Sequence, residues 1–469
     1  MTETIKMALN DKAWARWTAL VLIALMMFFA YMFVDVMSPL KSLIETSRSW
    51  DSATFGTYAS SEYILNVFGF LIIAGIILDK MGVRFTAILS GSVMLLGALV
   101  NWYAVSNSFI GSEAEAFMND FLNLPASWWN VTPFYDGMPA SAKMSACGFM
   151  LFGCGVEMAG ITVSRGIVKW FKGKEMALAM GVEMAIARVG VAVVVLGSPF
   201  LASVHPVDVS RPVAVAVLLL LIGLISFICY AVMDKKLDAQ GAEEEKDDPF
   251  RISDLGKILS SKVFWLVALL CVLYYSAIFP FQKYAINMLQ CNLGYTSEQA
   301  GLVFFVFPLG AAAITPFLGN YLDRKGKGAS MLMLGAILMI LCHLSFALLL
   351  PATESVLLAY LSIILLGISF SLVPAALWPS VPKLVDGKLL GSAYAVIFWI
   401  QNIGLYAFPM IIGSVIQSSN PGVTNPLEYN YTVPMLVFAS LGVLALLLGF
   451  WLKAEDKKKG YGLEEPNIK

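Results

Sequence analysis

Apolar runs of about twenty residues recur along the whole chain, separated by short polar stretches. Each run is long enough to cross the roughly 30 Å hydrocarbon core of a bilayer as an α-helix. The pattern predicts an all-α integral membrane protein with twelve spans, at about 15–38, 56–79, 84–105, 144–168, 176–200, 212–233, 263–288, 298–320, 329–350, 355–378, 389–416 and 431–452. The first run follows a basic stretch but is too long for a signal peptide and has no small-residue cleavage site, so it reads as a retained helix.

The polar interruptions divide the chain. Residues 1–233 hold six spans, 234–261 form a linker and 262–469 hold six more. The linker is charged with both signs from Asp234 to Asp248, which predicts a solvated segment. After Pro249, the residues Phe250, Ile252, Leu255, Ile258 and Leu259 alternate with Arg251, Asp254 and Lys257 at helical spacing. A short helix on the membrane surface and a solvated extension of span seven both fit. The other long interruption, 106–143, reads as an insertion outside the membrane, with Trp128, Trp129, Phe134 and Tyr135 as interfacial anchors.

One charged motif appears twice between apolar runs: Gly75-x-x-x-Asp79-Lys80-x-Gly82-x-Arg84 and Gly319-x-x-x-Asp323-Arg324-x-Gly326-Lys327. The glycines are expected to let helices approach and turn sharply, while the carboxylate and cations pair at the membrane surface. The motif resembles the loop signature of the major facilitator superfamily, transporters built from two pseudo-symmetric six-helix bundles, and implies that fold. The copies are 319 − 75 = 244 residues apart. Aligning Gly173-Lys174 with Gly387-Lys388 also brings Gly190 onto Gly404 and Arg188 onto Asn402, at an offset of 214. The 30-residue difference matches the 106–143 insertion. In this reading Asp79 and Asp323, with their basic neighbours, stabilise an outward-facing arrangement.

Composition narrows the function. The chain is 59% hydrophobic and only 13% charged, with net charge −1, so it has no basic domain for nucleic acid. Of 31 cations, 24 fall on the side of the two termini, 5 on the opposite side, and Arg165 and Arg188 inside spans, which predicts cytoplasmic termini. Cys147, Cys154, Cys229, Cys271, Cys291 and Cys342 lie in or beside apolar spans without paired spacing and read as packing residues. His205 and His343 are isolated. No metal site, cofactor motif or enzyme nucleophile is expected.

Charges inside the spans carry the functional argument. Glu157 and Arg188 fall about halfway along spans four and five, where an unpaired ion costs at least roughly 2.5 to 3.5 kcal/mol and so needs a wet cavity or a partner. A structural ion pair between the two is the packing alternative. Glu183 is five positions before Arg188, about 140° around the helix, so the two are expected to face different places. Arg165 reads as an anchor or gate. Asp35 and Glu62, toward the outer ends of spans one and two, read as exposed mouth residues, with proton coupling at Asp35, Glu62 or Glu183 as the minority view.

Three segments are similar to the major facilitator superfamily domain-containing protein 1 group: Gly155-Val-Glu157 through Trp170-Phe-Lys-Gly-Lys-Glu175 to Ala187-Arg188-Val-Gly190, Tyr274-Tyr-Ser-Ala-Ile-Phe-Pro-Phe281, and Ile400-Gln-Asn-Ile-Gly404. The resemblance implies a dipeptide carrier in which Glu157 holds the peptide amino group and Arg188 its carboxylate. Tyr274, Tyr275, Trp399, Gln401 and Asn402 are candidates for the side-chain pocket, and Phe398 for packing. An organic-anion carrier, using Arg188 alone, is the first alternative, and a non-transporting receptor or scaffold of the same fold the second. Glu183 departs from the group, where a neutral residue is usual. The start shows no acidic dileucine signal, which favours a bacterial inner membrane. A monomer is expected, with the bilayer and a small-molecule substrate as partners.

Overall fold

Capping chemistry sets the helix ends. Asp51 accepts from the Thr54 amide at 2.7 Å to open Ser52–Val67, and Thr296 with Gln299 forms a capping box at the start of Ser297–Phe304. Gly294, at φ 64°, ends Lys262–Leu293 in the left-handed region. These are features of a computed structural model that describes residues 8–125, 132–171, 173–240, 252–385 and 389–466. Trp128, Trp129, Gly387 and Lys388 lie outside the described residues, as does most of the charged linker.

Eleven described helices are long and apolar enough to cross a membrane. The twelfth pass comes from Ser52–Val67, which breaks at Gly69 (φ 100°) and resumes as the first part of Phe70–Val105. That helix turns at Gly82 (φ 76°), so 70–81 completes span two and 83–105 is span three. Span one is Ala13–Asp35, four Ala140–Phe171, five Met176–Ser203 and six Ser210–Asp238. Span seven is Lys262–Leu293, eight Ser297–Phe304 continued by Val306–Lys325, and nine Gly328–Leu344 with a π-helical turn at Ser345–Leu349. Spans ten, eleven and twelve are Val356–Leu377, Leu390–Ser419 and Thr432–Lys459. Span four begins at Ala140, so the end of the expected insertion is its first turn. A short helix, Ile252–Leu259, precedes span seven.

Packing obeys both repeat offsets. A side chain on Gly190 in span five would strike the Phe28 carbonyl of span one, and one on Gly404 in span eleven would strike Val272 and Ser276 of span seven. Here 272 − 28 = 244 and 404 − 190 = 214, the two spacings of the sequence repeat. The seam between the halves repeats in the same way. Gly56 lies against the Pro409 carbonyl and Gly301 against the Val195 carbonyl, with 301 − 56 = 245 and 409 − 195 = 214. Glycine is required at Gly190, Gly56 and Gly301 because backbone meets backbone there, whereas Gly404 makes room for the Ser276 and Val272 side chains.

That seam is at the end of the bundle away from the termini, called here the distal side. Span eleven packs along span two, span eight along span five, and the turn after span one against span seven. At the terminal side the ties lie within each half. Arg84 bonds to Asp238, Lys169 bonds to Asp234 at 2.7 Å, and Arg165 pairs with Asp79 at 2.7 Å. Gly82 and Gly326 (φ 69°) make the turns expected of the repeated motif. Gly75 and Gly319 do not make the expected close approach: a side chain at either would meet open space. The loop after span eight is covered by the C-terminal segment. Lys327 and Gly328 donate their amides to the Glu464 and Leu463 carbonyls, and Glu464 accepts from the Ser330 amide at 2.7 Å.

The chain start is clamped to the loop between spans four and five. Arg16 holds Glu175 through two bonds of 2.9 and 3.1 Å, and Lys174 pairs with Asp11 at 2.9 Å. The Arg16 hydrogen bonds hold the Glu175 carboxyl below its ordinary range, and Lys174 does the same for Asp11. Because folded values are depressed, this stabilisation is present above the ordinary carboxylate range and is lost as pH falls through the depressed values. Wild type is therefore expected to melt slightly above Glu175→Gln near neutrality, with the gap closing below about pH 4. A pH series of thermal unfolding checks it, and a gap that does not narrow as pH falls below the ordinary carboxylate range refutes the clamp.

Candidate functional site

Arg188 is 188 − 176 = 12 residues into span five, about 18 Å along its axis, and reaches across to the other half. Its Nη1 donates to the Thr315 hydroxyl at 2.6 Å and to the Ala311 carbonyl at 3.3 Å, both in span eight. The guanidinium lies over the Phe370 ring of span ten, 4.7 Å from its centroid. Phe370 continues an aromatic wall. Tyr275 stacks on Phe279 at 5.5 Å, both meet Phe370 edge-on, and Trp378 donates to the Tyr275 hydroxyl at 3.2 Å.

Across from this wall, Tyr31 of span one interacts electrostatically with Arg188, Glu183, Glu157 and Glu62. Charged groups on spans two, four and five thus act on one phenol. Glu157, Glu183 and Arg188 are each half-buried. Among the described residues Glu157 and Arg188 form no ion pair with each other, contrary to the structural-pair alternative. The 140° between Glu183 and Arg188 places them on different faces, yet Tyr31 senses both.

On the distal side the halves are latched by buried charge. Lys283 of span seven pairs with Asp35 at 3.0 Å and donates to the Val34 carbonyl at 2.7 Å. Lys41, fully buried, bonds to Glu45 at 2.6 Å, to Ser52 at 2.8 Å and across the seam to Asn287 at 3.1 Å, under the Tyr429 ring. Asp35 and Glu62 are each only 4% exposed, which corrects the expectation of mouth residues. The distal mouth is closed over them by span seven, a condition no single-helix pattern reveals.

The chain matches the family model described as Major Facilitator Superfamily over residues 20–404, with a second match over 282–467. The chain belongs to the Major Facilitator Superfamily. Among curated proteins, it is similar to the lysosomal dipeptide transporter MFSD1 of Danio rerio, 30% identical over 281 residues, covering 57% of this chain and 59% of the relative. The Homo sapiens protein of that name is 27% identical over 283 residues, covering 58% of this chain and 59% of the relative. The chain therefore spans about three-fifths of the length of these relatives. Among solved structures, the nucleoside transporter NupG aligns with TM-score 0.66 at 14% identity over 94% of this chain and 99% of that one. The partially occluded, inward-open xylose transporter XylE from E. coli aligns with TM-score 0.65 at 14% identity over 93% and 99%. These likenesses show the fold, that of a multi-pass helical bundle.

Within that superfamily fold the residues proposed from sequence separate. Arg188, Glu157, Glu183 and Tyr275 are brought to one region. Tyr274 turns away, fully buried, and its hydroxyl bonds to the Leu332 carbonyl of span nine. Trp399 is 41% exposed and donates to the Val67 carbonyl of span two at 2.8 Å, which places it on the seam. Gln401 accepts from the Cys271 thiol at 3.2 Å, and Asn402 bonds back to Phe398 while its Oδ1 is buried without a partner. Phe398 stacks on Trp378 at 4.8 Å, as packing. Sequence reasoning missed Tyr31, Thr315, Phe370 and Trp378. A lone phenol in span one and a hydroxyl beside the helix-interior Pro316 were the available signals.

Proposed function

We propose that the chain carries dipeptides by alternating access, with Glu157 receiving the amino end and Arg188 the carboxylate. The observation that carries this reading is the pairing of unspent charges: Glu157 and Arg188 both interact electrostatically with Tyr31, yet form no ion pair among the described residues, and the Arg188 hydrogen bonds there go to the neutral Thr315 and Ala311. A carboxylate displaces such partners readily, because the guanidinium fork matches it bidentately. The charged ends of an extended dipeptide are roughly 5 to 7 Å apart, which suits an anion and a cation on neighbouring helices. Tyr275, Phe279 and Phe370 supply apolar faces for the peptide's side chains. The relatives described as dipeptide transporters support the same cargo. In this reading the terminal side, which takes most of the cations, is cytoplasmic, and the closed distal seam makes the arrangement inward-facing.

Thermal stabilisation of the purified protein by dipeptides, single amino acids and dicarboxylates tests the reading. A dipeptide at about 100 times its Kd stabilises the folded state by about 2.7 kcal/mol. That shift is expected with dipeptides and is expected to shrink to about half or less in Glu157→Gln and in Arg188→Ala. Stabilisation by dicarboxylates alone, surviving Glu157→Gln, overturns it and points to an anion carrier.

A further inference from the structure

Glu183 is the charge that the clamp does not use. The neighbouring cations are already spent: Lys283 pairs with Asp35, Lys41 with Glu45, Arg165 with Asp79 and Lys169 with Asp234. Among the described residues the Glu183 side chain has no ion pair and no hydrogen bond. A zwitterionic dipeptide answers Glu157 and Arg188 and leaves Glu183 unmatched. A half-buried carboxylate without a partner is costly, and more so once bound cargo has displaced the water around it.

Position agrees with charge. Glu157 is 171 − 157 = 14 residues from the terminal end of span four, about 21 Å, which is close to the 18 Å of Arg188 from the terminal start of span five. The two ends of the clamp therefore share a level. Glu183 is 188 − 183 = 5 residues before Arg188, about 7.5 Å nearer the terminal side, and about 140° away from the direction in which Arg188 crosses to Thr315 in the other half. Tyr31 interacts electrostatically with all three, so the turn away from Arg188 keeps Glu183 within reach of the same region.

The shape of the cargo uses this arrangement. In an extended chain, successive side chains leave the backbone on opposite sides. With the carboxylate on Arg188, one side chain meets the wall of Tyr275, Phe279 and Phe370 in the second half, and the other turns back into the first half toward Glu183. A lysine ammonium is about 6 Å from its Cα, five bonds of about 1.5 Å in zigzag, which with the reach of the glutamate covers the difference in level.

We propose that Glu183 selects the cargo by receiving a cationic side chain, so that the carrier prefers dipeptides made of one lysine or arginine and one apolar residue. The proposal rests on the dipeptide reading of Glu157 and Arg188. The apolar residue lies on the aromatic wall, the cationic one satisfies the last free carboxylate, and an acidic side chain in its place is repelled.

Binding titrations of the purified full-length protein with Lys-Phe, Phe-Lys, Met-Phe and Phe-Met test it, methionine being an uncharged side chain of similar length. Wild type is expected to bind at least one lysyl peptide about ten- to a hundred-fold more tightly than its methionyl counterpart, the usual range for a hydrogen bond to a charged group. In Glu183→Gln that ratio is expected to fall close to one, with the methionyl peptides bound as before. Glu183→Lys is expected to reverse the preference, taking Glu-Phe or Phe-Glu over the lysyl peptides. Equal binding of lysyl and methionyl peptides by wild type overturns the proposal, and that comparison needs no variant. A Glu183→Gln protein that binds all four peptides equally weakly overturns it too, because Glu183 then supports the helix and not the cargo. In both cases methionyl peptide binding that is weakened by Glu157→Gln and Arg188→Ala leaves the dipeptide reading standing. Failure of all four peptides to bind wild type overturns the dipeptide reading and the selectivity with it.

Discussion

Arg188→Ala is expected to raise the dipeptide Kd by about ten- to a hundred-fold, in line with roughly 1.5 to 3 kcal/mol for a hydrogen bond to a charged group. The loss is specific to the carboxylate end. A dipeptide amide, which lacks the carboxylate, binds weakly to wild type and is expected to be little affected by the substitution. Arg188→Lys keeps the charge but not the fork, and loses the flat face that lies on Phe370, so it is expected to recover only part of the affinity. Binding titrations of the three proteins against peptide and peptide amide decide the matter. If Arg188→Ala weakens both ligands equally, Arg188 is holding spans five and eight together through Thr315 and is not gripping cargo.

Gly413→Trp is expected to hold the distal mouth open and abolish transport. A side chain on Gly413 would enter the Ser52 carbonyl and approach Gly56, and these are backbone atoms that have no rotamer to change. Alanine there is expected to cost the closed state about 1 to 3 kcal/mol, the usual price of overpacking. That shifts the closed-to-open ratio by roughly 5- to 150-fold. Inverting a 99:1 preference takes about 5.5 kcal/mol, so alanine tilts the balance while tryptophan is needed to fix it. Exchange of the Lys41–Arg48 helix, which buries Lys41, Ile44 and Glu45, reports the state directly, and transport assays report the consequence. A tryptophan variant that transports normally shows that the halves do not rock about this seam.

The expected locks and clamps were unequally visible in the chain. Depth was legible: counting residues at 1.5 Å each puts Glu157 and Arg188 near the middle of their helices, as Ala140–Phe171 and Met176–Ser203 place them. The repeat was legible too, since the offsets of 244 and 214 reappear as atomic contacts at Gly190 and Gly404. Rotation about each helix axis was not. Tyr274 and Tyr275 are neighbours in sequence and differ by about 100° in direction, so one enters the bundle core and the other meets Phe370. The distal latch was hidden for another reason. Asp35 and Lys283 are separated by 248 residues, and their burial belongs to one arrangement of the halves, not to either helix alone. For the same reason Gly75 and Gly319 looked like contact points in sequence while the structure leaves them open.

The strap laid by the C-terminal segment over the turn before span nine has a consequence for biosynthesis. Glu464 caps the Ser330 amide from 134 residues further along the chain. At about 5 to 20 residues per second, the ribosome delivers that cap roughly 7 to 27 seconds after the turn itself has been made. Through that interval span nine sits in the membrane with its first turn unfinished, and three further spans are inserted before it is closed. The segment after span twelve thus completes a loop of the second half, so that half reaches its final form only after its last span has been made.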